Sequence, residues 1–166
     1  PQEFDKVKEE IDNSSDHFLR FIISEFDEAS GKPILFQEML GLSDDTLLHI
    51  YDLGAVLIEK GNLKDAKVLF TFLTTLAPYV ESYWIALGVC FQELKHPEDA
   101  ILAFGAAKFL KPMDPAPSFY TIESYLLLKE HDKAKLELET LKNTMADLDS
   151  KEKEKWEQKV KGLAIS

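Results

Sequence analysis

The chain has 166 residues, of which 45% are hydrophobic and 30% are charged. This length and balance describe one globular domain with a single core and exclude a disordered chain. The formal net charge is −11, from 19 basic and 30 acidic residues. It argues against nucleic acid and anionic membrane surfaces as partners, because both require clustered lysine and arginine.

Neither a membrane span nor a disulfide is predicted. No apolar run reaches the roughly 20 residues that a membrane helix needs, and no secretory signal pattern opens the chain. The single cysteine, Cys90, has no partner within the chain, which fits a reducing compartment. Its place inside a predicted helix favours plain packing over a reactive thiol.

Residues 1–46 are predicted to form an N-terminal helical extension. An apolar helix is expected over 15–31, and a second, short helix over 33–40, closed by Gly41. The apolar side chains of the first helix are candidates for a dimer interface, and docking on the first repeat of the same chain is an equal alternative. These candidates are Phe18, Phe21, Ile22 and Phe26.

A central block, residues 81–114, combines small and aromatic residues on two predicted helices. The pattern comprises Trp84, Leu87, Gly88 and Phe91, then Ala100, Phe104 and Ala107, and finally Pro112. The small residues let two antiparallel helices approach closely, the aromatic residues fill the space beside them, and the proline cannot extend the second helix. This is the spacing of a tetratricopeptide repeat.

The neighbouring blocks carry the same pattern. Residues 47–80 repeat it at an offset of 34 positions, and residues 115–148 repeat it in degenerate form. A degenerate last unit is expected because a terminal repeat faces solvent on one side. Asp149 and Glu152 form a capping box for a final helix within 149–166, which is predicted to cover the third repeat.

The predicted fold is therefore all-α: an α-solenoid of three tetratricopeptide repeats with N-terminal helices and a C-terminal capping helix. The sequence has no P-loop, dinucleotide-binding, nucleophile-elbow or zinc-protease motif. The four histidines are scattered, and no carboxylate pair is singled out by an apolar setting. We therefore expect no enzymatic activity, no cofactor and no metal site.

A solenoid of helix pairs has a concave surface lined by the first helix of each pair. With Trp84 as position four of its repeat, positions two, five, nine and twelve are predicted to face this groove. They are Leu48, Tyr51, Ala55 and Ile58; Ser82, Ile85, Val89 and Gln92; and Ala116, Phe119, Glu123 and Leu126. Most are apolar, which predicts binding of an extended apolar peptide. The alternative is that they pack under an N-terminal helix or against a second copy.

Three features carry a family resemblance. They are the apolar N-terminal segment, the acidic composition and the stretch SDDTLLHIYDLGAVLIEKGNLKDAKVLFTFLTTLAPYVESYWIALGVCFQEL. Over roughly residues 36–141 the chain resembles the class II chaperones of bacterial type III secretion systems, of the low-calcium-response protein H type. The resemblance implies a chaperone of the bacterial cytoplasm that holds hydrophobic translocator proteins soluble and apart before export. It also implies a homodimer in many members of the family.

In that family an extended P-x-L-x-x-P segment of the client lies in the groove. Carried over, the resemblance implies a pocket formed by Tyr51, Ala55, Ile58, Ile85, Val89, Phe119 and Leu126. Two residues depart from the family pattern: Ile58 stands where an aromatic residue is typical, and Glu123 places a charge in the groove. A generic scaffold that joins folded proteins is the alternative function.

A different use of the same fold is not supported. Repeat proteins that clamp the acidic C-terminus of heat-shock chaperones resemble one another in placing lysine and asparagine at groove positions five and nine of their first repeat. Here those positions hold Tyr51 and Ala55.

Overall fold

The computed structural model describes residues 26–27, 32–33, 37 and 40–163. The chain divides into two compact units, residues 1–43 and 44–166. Within the described part of the first unit, Gln37 is helical, and the amide N–H of Leu42 donates to its carbonyl at 3.1 Å. Gly41 has a φ of +62°, which allows it to close this segment as predicted.

The two helices predicted over 15–31 and 33–40 are wrong at three residues, Phe26, Asp27 and Pro33. Strand β1 (Phe26–Asp27) pairs antiparallel with strand β2 (Lys32–Pro33), so that Phe26 lies opposite Pro33. A proline has no N–H for a helix interior and is tolerated on an edge strand, and a glycine precedes Lys32, which weakens a helix there. The other dimer candidates, Phe18, Phe21 and Ile22, lie outside the described residues.

Within residues 44–163 the second unit consists of seven helices. They are α1 (Asp44–Glu59), α2 (Leu63–Leu76), α3 (Glu81–Glu93), α4 (Pro97–Leu110), α5 (Pro115–Leu127), α6 (His131–Ala146) and α7 (Ser150–Lys161). Consecutive helices pack pairwise, and α3 also contacts both α1 and α5. The first helices of the three pairs therefore form an inner layer, and α2, α4 and α6 form an outer one. The all-α repeat fold is confirmed.

The three turns inside the helix pairs are equivalent. Gly61, Lys95 and Lys129 stand 34 positions apart, and all have a positive φ, of 75°, 67° and 60°. In each turn the next amide N–H donates back to a carbonyl of the first helix, at 2.8–2.9 Å. This is the left-handed C-terminal cap that glycine favours, and two lysines adopt it here. The third repeat thus keeps the turn geometry although its sequence signature is degenerate.

A glycine of the first helix faces a buried phenylalanine of the second helix in repeats one and two. A methyl group added at Gly54 would lie 2.6 Å from the Phe70 ring, and one added at Gly88 would also overlap the Phe104 ring. Both rings have no exposed surface. In repeat three the equivalent of Gly88 is Ile122, and a leucine replaces the phenylalanine. The glycine–phenylalanine pair is thus replaced there by two aliphatic side chains of equal size.

Helix α7 closes the array as predicted. Its N-cap, Asp149, accepts hydrogen bonds from the backbone N–H groups of Lys151 and Glu152 at 2.9 and 3.0 Å. Trp156 is buried in one apolar cluster with Leu141 and Met145 of α6. The last repeat thereby obtains the apolar cover that a following repeat would otherwise supply.

Replacing Gly88 with alanine is expected to destabilise the protein by about 1–2 kcal/mol, because overlap with the Phe104 ring outweighs the helix preference of alanine. The matched control is Gly105→Ala on α4, where the added methyl group meets no atom within 4 Å. That change should stabilise by about 0.5–1 kcal/mol. Urea unfolding followed by circular dichroism measures both. Equal stabilisation by the two changes would contradict the packing described for Phe104.

Candidate peptide-binding groove

The positions predicted to line the groove lie on α1, α3 and α5, the helices of the inner layer. Leu48 is 55% exposed. Most of the others are half-buried: Tyr51, Ala55, Ile58, Ser82, Ile85, Val89, Ala116, Glu123 and Leu126. Only Gln92 and Phe119 in this set are buried, at 9% and 7% exposure. The inner layer therefore presents a mostly apolar surface that is partly accessible.

An aromatic wall stands at the junction of the first two repeats. The Tyr51 ring lies 5.6 Å from the Phe70 ring, edge to face, and 5.7 Å from the Tyr83 ring. Burial raises the pKa of Tyr83, and the nearby Tyr79, Asp44 and Tyr51 add to the shift. Sequence reasoning missed Tyr83 because it occupies position three of its repeat, outside the positions assigned to the groove.

Phe119 serves mainly as a core residue. Its ring lies 5.6 Å from the Trp156 ring of α7, and the Lys159 ammonium lies 5.5 Å from its centroid. Because the array ends at this repeat, α7 covers the side chain that an internal repeat would leave open to the groove. A ligand in the groove would reach only a small part of this ring.

The end of the groove at α3 and α5, away from the contact between Tyr51 and Tyr83, is polar. The side chains of Gln92 on α3 and Glu123 on α5 lie next to each other. A cavity of about 390 Å³ opens beside them, lined by Gln92, Glu93, Lys95, Glu123, Leu126, Leu127, Gly162 and Leu163. Burial raises the pKa of Glu123 and Glu93 adds to the rise, whereas the Gln92 side chain and Lys159 oppose it.

No metal-binding cluster is found in the part of the chain that the structure describes. No three His, Cys, Asp or Glu side chains there are placed to hold a metal ion. Burial raises the pKa of the Cys90 thiol to about 11, so it stays protonated and packs as an apolar group. The buried Glu81 carboxylate is paired with Lys111 at 2.6 Å, away from the groove positions.

A second apolar surface lies on the outer layer. Val68, Leu102 and Leu136 occupy the same repeat position on α2, α4 and α6, and they are 62%, 73% and 67% exposed. Phe109 on α4 is 85% exposed. Sequence reasoning missed this row, although an apolar residue at one position of all three second helices was a visible signal.

Among the helices of the described residues, none combines the length and apolar character required to cross a membrane.

No family model and no curated protein matches the chain. Solved structures do match. The type III secretion translocator chaperone SycD of Yersinia enterocolitica superimposes with a TM-score of 0.71 at 20% identity, over 78% of this chain and 98% of that chain. PcrH in complex with the chaperone binding region of PopD matches with a TM-score of 0.63 at 29% identity, over 66% and 83%. PcrH from Pseudomonas aeruginosa matches with a TM-score of 0.62 at 28% identity, over the same shares of the two chains.

SycD is a type III secretion translocator chaperone, and PcrH is a protein that binds the chaperone binding region of PopD; both neighbours confirm the resemblance drawn from the sequence. At 20% identity, the similarity to SycD shows a shared fold. PcrH is 29% identical to this chain, and its structure contains the bound chaperone binding region of PopD.

Glu123→Gln is expected to stabilise the protein at pH 7. The folded state holds the Glu123 proton more tightly than the unfolded chain, because burial raises the pKa above its ordinary value of 4.5. The wild type therefore loses stability as the pH rises from that ordinary value through the raised pKa, and the glutamine variant does not.

Urea unfolding of both proteins between pH 4 and pH 7 measures the difference, which should grow with pH and shrink towards pH 4. Glu139→Gln on the exposed face of α6 makes the same change in charge and serves as the control. A pH-independent difference for Glu123→Gln would show that burial does not perturb this carboxyl group.

Proposed function

We propose that this chain is a non-enzymatic type III secretion chaperone of the bacterial cytoplasm. It binds an extended hydrophobic, proline-containing segment of a translocator protein in the groove on α1, α3 and α5. The observation that carries the proposal is the accessible, mostly apolar inner layer. Structures of similar chains support it: PcrH is known in complex with the chaperone binding regions of PopD and PopB, and SycD with a peptide of the translocator YopD.

The groove offers what an extended apolar segment needs. Leu48, Ile85 and Val89 present accessible aliphatic surface, and the half-buried Tyr51 ring, which packs on the buried Tyr83, offers an aromatic contact for a proline or small hydrophobic residue of a P-x-L-x-x-P segment. Burial of apolar area contributes about 25 cal/mol per Å². Ordering a flexible client offsets part of this gain. The resulting affinity is moderate, which suits a chaperone that releases its cargo.

Binding in the groove explains how a hydrophobic client stays soluble without nucleotide hydrolysis. The apolar anchors of the client are covered, and the net charge of −11 on this chain favours solubility. A homodimer formed through the N-terminal segment is part of the proposal. It is supported by a SycD structure that is itself an alternative dimer.

A scaffold that joins folded proteins is the second candidate. The exposed row Val68, Leu102 and Leu136 on the outer layer favours it, because a flat apolar surface suits a folded partner better than an extended segment. The two functions use opposite layers, so one pair of variants distinguishes them.

We expect a translocator co-expressed with this chain to be recovered as a soluble complex that a short P-x-L-x-x-P peptide displaces. Ala55→Arg adds bulk and charge to the middle of the groove and should weaken peptide binding at least about tenfold, equal to about 1.4 kcal/mol. Leu102→Arg makes a comparable change on the outer layer and should leave binding unchanged. Fluorescence anisotropy measures the affinities, and circular dichroism checks that both variants are folded.

An insoluble client, or a peptide that does not bind the wild type, would overturn the chaperone proposal. Loss of client binding in Leu102→Arg with retention in Ala55→Arg would instead favour the scaffold.

A further inference from the structure

We infer that the groove ends in a subsite for a cationic side chain, built by Glu123 and Gln92, which takes a lysine or arginine of the client segment. The inference rests on the proposed function and adds to it a chemical requirement on the client.

The geometry places an acid at the end of an apolar channel. Glu123 holds groove position nine of the third repeat, and Gln92 holds position twelve of the second, so the pair bridges α5 and α3. Leu126, Leu127 and Leu163 supply apolar walls of the adjoining cavity. A lysine or arginine needs this combination, because its methylene stem packs on apolar surface while its charged end reaches a carboxylate.

The carboxylate of Glu123 forms none of the ion pairs found in the described part of the chain. Lys159 is the cation that acts on it, without direct contact, and it lowers the pKa of Glu123 against the effect of burial. Lys159 is held against aromatic rings, with its ammonium 4.4 Å from the Trp156 ring centroid. Burying a carboxylate without a cation costs free energy, and a client cation would remove that cost.

The fold itself gives no reason for a charge at this position. A glutamine at position 123 could hydrogen-bond to Gln92 without the cost of burying a carboxylate. The rim of the cavity carries one residue of each sign, Glu93 and Lys95, and both are exposed and screened by solvent. Glu123 is therefore the group that gives this end of the groove its electrostatic preference.

A cationic subsite would select among clients. Apolar pockets discriminate weakly between segments that share a P-x-L-x-x-P pattern, since each methylene changes affinity only modestly. One buried carboxylate at a single end of the groove also distinguishes the two directions in which an extended segment can lie. It thereby favours one register and one orientation.

The test is a lysine scan of a labelled P-x-L-x-x-P peptide, in which each flanking position carries either lysine or norleucine. At one position we expect the wild type to bind the lysine peptide about tenfold more tightly than its norleucine counterpart, the size of one charge-assisted hydrogen bond. In Glu123→Gln the ratio should fall to about one. Glu139→Gln on α6, with the same change in net charge, should keep the wild-type ratio.

Three results would overturn the inference, and the first two separate it from the proposed function. If norleucine peptides bind and no position prefers lysine, the groove function stands and the cationic subsite fails. If no peptide of the scan binds the wild type, both fail. A lysine preference that falls equally in Glu123→Gln and Glu139→Gln would place the effect on the general charge of the protein.

Discussion

The contact between a glycine of the first helix and a phenylalanine of the second governs the geometry of repeats one and two. Gly54 and Gly88 leave room for the fully buried rings of Phe70 and Phe104, so each helix pair closes tightly. Tight pairs let α1, α3 and α5 lie side by side in one layer. That layer brings residues from three distant parts of the chain onto one surface. A side chain at Gly88 would therefore disturb the groove as well as the core.

The two ends of the groove differ because the array begins and ends differently. Between repeats one and two, Tyr51 and Tyr83 form an aromatic wall. At the third repeat the signature degenerates, and α7 supplies the missing cover by packing Trp156 against Phe119. The same termination leaves a cavity beside Glu123, bounded in part by the end of α7. Helix α7 thus covers Phe119, which would otherwise face the groove, and leaves a polar cavity at this end.

Several features of the inner-layer surface lower the stability of the protein when no client is bound. Aliphatic side chains such as Leu48 remain exposed, and the half-buried Glu123 forms no ion pair in the described part of the chain. A bound client segment would cover the first and neutralise the second. On the proposed function these features have one physical explanation, because a bound client segment would cover them.

The sequence by itself determined the features that depend on neighbours in the chain or on the 34-residue offset. These include the helix pairs, the turn at Gly61, the cap at Asp149 and the helices that carry the groove positions. Helical periodicity and capping act over three or four residues, so they are readable locally. Local reading failed at Phe26 and Pro33, which pair as strands. Only the tertiary structure decided that α7 covers Phe119, that Tyr83 joins Tyr51, and that Gln92 meets Glu123. Those contacts depend on which distant helices pack together, and no local pattern encodes that.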